Sequence, residues 1–226
     1  MPQGLLDWAM GSSTERGGFS IAPAVVKDNM NLLSEGRVQV HIAEMPELDP
    51  WARVVCIGAG SGRGFFWLPE VDDEVLVALN RKDPRDAYVI GGMWSTSNTP
   101  PVSDPIESTS KRVLMTGMKD GPGGHEIEFD DLEQSVTITT STEQKITIAP
   151  EKIEISTTEG LLKITMDIAG APPSIEISAT TGDIKLSAPL GTISLDGLKV
   201  SISSDVQTQV SSDGEVTVQG TLVSIN

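Results

Sequence analysis

Aromatic rings, basic residues, cysteine and histidine are all scarce in this chain of 226 residues. Its 16 Lys and Arg stand against 32 Asp and Glu, a formal charge of −16. Such a surface repels phosphate backbones and anionic headgroups, which argues against nucleic acid as a partner. The single cysteine, Cys56, excludes an intramolecular disulfide. With no base-like motif around it, a buried, inert thiol is the expected reading. Nowhere do eighteen apolar residues run together, as a membrane span requires. The start, MPQGLLDWAM, lacks the basic and apolar stretches of a secretory leader, so the chain is expected to be made as a soluble protein.

What is present divides sharply in two. Eight of the nine rings, from Trp8 to Trp94, precede residue 95, and only Phe129 follows. The first half can therefore pack rings and aliphatics around one centre, whereas the second must pack with Ile, Val and Leu. Residues 96–110, STSNTPPVSDPIEST, have linker composition. Charge shifts across them: residues 1–95 carry 8 basic and 13 acidic groups, 96–226 carry 8 and 19. In the first half GRVQVHI, WARVVCI and DEVLVALN alternate as half-buried strands, and AYVIGGMW closes the set. Short antiparallel strands of this kind predict a small closed five-stranded barrel of the OB size class.

The second half predicts a repeat. Apolar pairs two residues apart recur from Val136/Ile138 through Ile146/Ile148, Ile153/Ile155, Leu162/Ile164, Ile175/Ile177, Ile184/Leu186, Ile193/Leu195, Val200/Ile202 and Val216/Val218 to Val223/Ile225. Each unit of seven to ten residues reads as one strand plus one turn, which buries its apolar face only by stacking on others. Periodicity leaves two assemblies open: a solenoid wound by one chain, or a prism to which three chains each supply a side. If three chains interleave with ~4.8 Å per layer, the rod is on the order of 50 Å long.

The motifs G-R-V-x-V, W-A-R-V, G-x-x-F-x-P-x-x-x-D-E-V-L-V and Y-V-I-G-G are filled here by Gly36, Arg37, Trp51, Arg53, Gly64, Phe66, Pro69, Asp73, Glu74, Val75, Tyr88, Gly91 and Gly92. This set closely resembles the OB domain of phage baseplate assembly protein V and of VgrG, the central spikes of contractile injection systems. The resemblance extends over roughly residues 20–226 and implies an all-β fold. An N-terminal OB barrel is followed by an intertwined triple-stranded β-helix, a needle formed by a homotrimer. The expected organisation is an N-terminal extension over 1–20 contacting a hub, the OB domain over 21–95, a linker over 96–112 and the spike over 113–226. Partners implied are a baseplate hub protein at the OB end, a PAAR-like tip protein at the other, and transiently the target membrane. The spike would sit in the baseplate of a virion or tail-like particle, assembled in the bacterial cytoplasm. VgrG proteins carry a large hub domain ahead of the OB domain, and here only about 20 residues precede it. There is no room between 95 and 113 for the lysozyme insert of the large phage spike. An iron-binding H-x-H apex is also not matched, the only histidines being His41 and His125.

No catalytic, cofactor or metal site is expected. Asp72, Asp73 and Glu74, and Asp130, Asp131 and Glu133, read as turn formers before acid–base pairs. His41 reads as an ordinary rim histidine. GAGSGRG at 58–64 lacks the Lys and helix of a phosphate cradle and reads as a flexible barrel loop, with FFW after it as strand. The residues expected to matter are structural. The needle core is Ile146, Ile148, Ile153, Ile155, Ile175, Ile177, Ile184, Leu186, Ile193, Leu195, Val216 and Val218, and the tip platform is Val223, Ile225 and Asn226. The competing function, a trimeric fibre that binds or degrades surface polysaccharide, needs an aromatic groove with paired carboxylates, and the second half offers only Phe129.

Overall fold

The computed structural model describes residues 18–33, 35–118, 121 and 123–224. Most of the expected N-terminal extension, and Ile225 and Asn226 of the tip platform, lie outside them. Two compact units divide the chain, one ending at Gly182 and one from Asp183 onward.

The first unit opens with β1 (Phe19–Asp28), β2 (Arg37–His41), β3 (Trp51–Val54), β4 (Ala59–Gly60), β5 (Arg63–Gly64), β6 (Glu74–Asn80) and β7 (Asp83–Gly92). Five of them close a barrel in the order β1-β2-β3-β7-β6. The all-antiparallel expectation is corrected by β3 and β7, which run parallel with Arg53 opposite Tyr88. The reason is geometric: strands around a closed ring can alternate direction only if their number is even, so five strands force one parallel pair. β1 also contains Pro23, and the stretch holding it pairs with β6 alone, so no second neighbour needs the missing N–H.

Alternation supplies the barrel core. Val26, Val38, Val40, Val75, Val77 and Val89 point inward at positions two apart and are buried, with Ile42 and Ala52 completing the centre. Every buried hydrophobic side chain among the described residues lies between Ala24 and Val89.

The linker is partly fixed. Asn98 donates from Nδ2 to the Asp72 carbonyl at 3.2 Å, and Ser95 Oγ accepts from the Ser97 and Asn98 amides. Asp104 accepts from the amides of Ile106 and Glu107, which starts the single turn α1 (Glu107–Ser110). Seven strands follow: β8 (Lys111–Met115), β9 (Glu126–Asp130), β10 (Ser135–Thr139), β11 (Lys145–Ile148), β12 (Lys152–Ser156), β13 (Leu162–Asp167) and β14 (Ser174–Ala179). They form one antiparallel sheet in chain order. β10 to β14 each hold one of the apolar pairs read from the sequence, whereas β8 and β9 precede the first pair.

The second unit has no strand pairing of its own among its described residues. Its apolar pairs, from Ile184/Leu186 to Val216/Val218, are exposed, as is Val223.

Candidate functional site

The acidic clusters of the sequence build turns. Asp73 accepts from the Glu70 amide at 2.8 Å through its carboxylate, fixing the turn into β6. Asp130 accepts from the amides of Leu132 and Glu133 at 2.9 and 3.0 Å, closing the β9–β10 hairpin. His41 Nδ1 lies 2.8 Å from Asp49 Oδ1, a rim pair spanning the β2–β3 loop. Among the described residues no three His, Cys, Asp or Glu side chains converge as a metal site would require.

Three expectations about the 56–67 segment are corrected. Cys56 is half-buried, its thiol donating weakly to the Val54 carbonyl at 3.5 Å, because β3 has already ended at Val54. The glycine run is a pinned miniature hairpin, β4 paired with β5. At Gly64, φ is +139° and an added Cβ would sit 2.4 Å from the Gly58 carbonyl oxygen, so only glycine closes it. Phe65, Phe66 and Trp67 pair with no strand, and the rings of Phe65 and Trp67 stack in parallel at 5.9 Å.

The sheet presents two unlike faces. In the antiparallel register Ile138 stands opposite Ile146, Ile146 opposite Ile155, Ile155 opposite Ile164 and Ile164 opposite Ile177. Ile127 and Leu114 extend this ladder across all seven strands. A second ladder runs from Phe129 through Val136, Ile148, Ile153 and Met166 to Ile175. Residues directly opposite share a face, so thirteen large apolar side chains line one side of the sheet, and none of them is buried. Ile146, Ile148, Ile153, Ile155, Ile175 and Ile177 of the expected needle core all lie on it. Ile184, Leu186, Ile193, Leu195, Val216 and Val218 belong to the second unit.

The other face is polar. Lys111 lies 3.4 Å from Glu128 and 3.6 Å from Glu107, and these carboxylates, Glu128 foremost, push its ammonium above the usual lysine range. Glu154 lies 3.3 Å from Lys152 and 3.7 Å from Lys163. Solvent screening leaves exposed pairs of this kind little net contribution to stability. Burying what thirteen half-exposed apolar side chains still show is worth about 1 kcal/mol each, on the order of 10 kcal/mol per chain. The apolar face is therefore the largest store of unburied apolar surface in this half of the chain.

Sequence reasoning missed a third feature, a cluster of rings outside the barrel core. Trp94 and Phe66 stand mostly clear of the protein. Trp94 shares a groove with Phe65, Trp67, Pro101 and Leu114. Grouping these rings needs the fold of the 56–67 segment and the course of the linker.

Residues 22–94 match the family described as type VI secretion system/phage-baseplate injector OB domain. No curated protein matches the chain. The matched span starts within β1 and ends just after β7, so it coincides with the closed barrel. The barrel's strand order, with its single parallel pair, is the OB arrangement. Residues 22–94 therefore form an OB domain of the type VI secretion system/phage-baseplate injector kind.

Proposed function

We propose that the chain is the central spike of a contractile baseplate or tail-like injection particle, acting as a homotrimer that pierces the target membrane mechanically. One observation carries this reading: behind the injector OB barrel lies a seven-stranded sheet whose large apolar side chains are all unburied. A lone sheet with one such face exposed is a liability in water, and three copies turning these faces inward remove it. The nearly strand-free second unit fits the same reading. Among the described residues its apolar pairs continue the repeat with no intrachain strand partner, so its strands form only by pairing with other copies, as an intertwined β-helix requires.

In this assembly the OB barrel is the collar facing the hub and residues 113–226 supply the needle. Val223, with Ile225 and Asn226, forms the platform for a PAAR-like tip. The acidic outer face keeps the rod soluble and separates it from its neighbours. Pairing of the strands beyond Asp183 between chains makes unfolding require separation of all three, a source of kinetic stability suited to a mechanical part.

Light scattering of the native protein, followed by electrophoresis in SDS without boiling, tests this. The expected result is a mass three times 24.0 kDa and a band that resists SDS. A monomer at every concentration overturns the spike reading.

A further inference from the structure

We infer that the groove beside Trp94 is a second contact between copies of this chain, continuous with the apolar face of β8–β14; the inference rests on the three-chain reading of that face. The groove is walled by the stacked Phe65 and Trp67 rings, by Trp94, by Pro101 of the linker and by Leu114 of β8. Leu114 is also the first residue of the Ile ladder. The two surfaces thus meet at a single side chain, and a copy packed against the start of the ladder lies at the mouth of the groove.

Charge selects the occupant. A copy of this chain carries −16, and like charges repel over about 10 Å at ordinary salt. Copies therefore meet through surfaces that carry no charge. No charged residue lines the Trp94 groove. A neighbouring groove that shares Trp67 is lined by Glu70, Asp72 and Asp73 and turns such a partner away.

The rings are also free for this use. The barrel core is closed by Val, Ile, Leu and Ala, and none of its buried members is aromatic. Trp94 is 70% exposed. Aromatic anchors in an ordered pocket carry much of the binding energy of protein interfaces. This pocket is ordered before any partner arrives, through the ring stack and the Asn98–Asp72 tie of the linker, which lowers the entropy cost of docking.

The test uses the full chain carrying Trp94→Glu, with dissociation of the assembly followed by light scattering along a guanidinium series. The expected result is dissociation at least tenfold easier than in the unaltered protein, with far-ultraviolet circular dichroism unchanged before dissociation. An unchanged dissociation curve overturns the inference and leaves the three-chain reading standing. A wild-type chain that never assembles overturns both, and an added protein being needed to cover Trp94 overturns the choice of occupant. Should Trp94→Glu fail to fold, hydroxyl-radical footprinting of the unaltered protein decides the matter. Trp94 is expected to oxidise several-fold more slowly in the assembly than in dissociated chains, and equal rates overturn the inference.

Discussion

At the end of the barrel where β6 turns into β7, Arg53, Asn80, Asp86 and Tyr88 form a small network. The Arg53 guanidinium sits 5.1 Å from the centre of the Tyr88 ring, and Phe19 meets the same ring edge-on at 6.0 Å. Asn80 donates to the Asp86 carboxylate at 3.2 Å. That hydrogen bond first, then one from Tyr88, holds the Asp86 carboxyl below the usual aspartate range, with Arg53 at 3.7 Å adding to the effect. A carboxyl whose folded pKa is depressed stabilises the fold above its unfolded value of about 3.9, and loses that contribution as pH falls through the folded value. Asp86→Asn is therefore expected to give a shallower loss of stability below about pH 4. Thermal melts between pH 5 and pH 2.5 check it, an identical acid limb in variant and parent contradicting the assignment. None of this network was legible in the sequence, because Arg53 and Asp86 meet only through the parallel pairing of β3 and β7.

The sheet is the element whose logic the sequence exposes best. Ile pairs two residues apart predicted both the strands and the shared face, since a period of two leaves no other arrangement. The two faces make opposite predictions. Ile146→Asp, at the middle of the ladder, is expected to abolish assembly, because a carboxylate among apolar side chains costs several kcal/mol in each copy. Thr147→Asp, one residue along and on the polar face, is expected to leave the oligomer intact. Native mass measurements on the two variants check the pair, and equal behaviour would contradict the face assignment. Less was legible in the barrel. β1 was hidden because Pro23 and two alanines dilute its alternation. The parallel pair was hidden because residue patterns carry no strand direction. The Phe65–Trp67 segment was read as strand because large apolar residues in sequence look alike whether they pair in a ladder or stand on a loop.

Over the whole molecule, charge and apolar surface oppose each other. Copies carrying −16 repel, so screening favours their association. Raising salt from ~20 mM to ~0.5 M shortens the Debye length several-fold and is expected to strengthen assembly. Binding to a polyanion responds in the opposite sense, and sedimentation at the two salt concentrations distinguishes the cases. The distribution of the core has a further consequence in time. Every buried hydrophobic side chain among the described residues lies between Ala24 and Val89, ahead of all seven strands of the sheet. The barrel can close as a first-order event while the ribosome is still adding the repeat. In the proposed trimer, completion of the remainder is a collision-controlled step whose rate rises with the concentration of finished chains. A nascent copy thus acquires a folded, charged domain before its apolar face is complete, and slow synthesis lengthens the interval in which that face stays open.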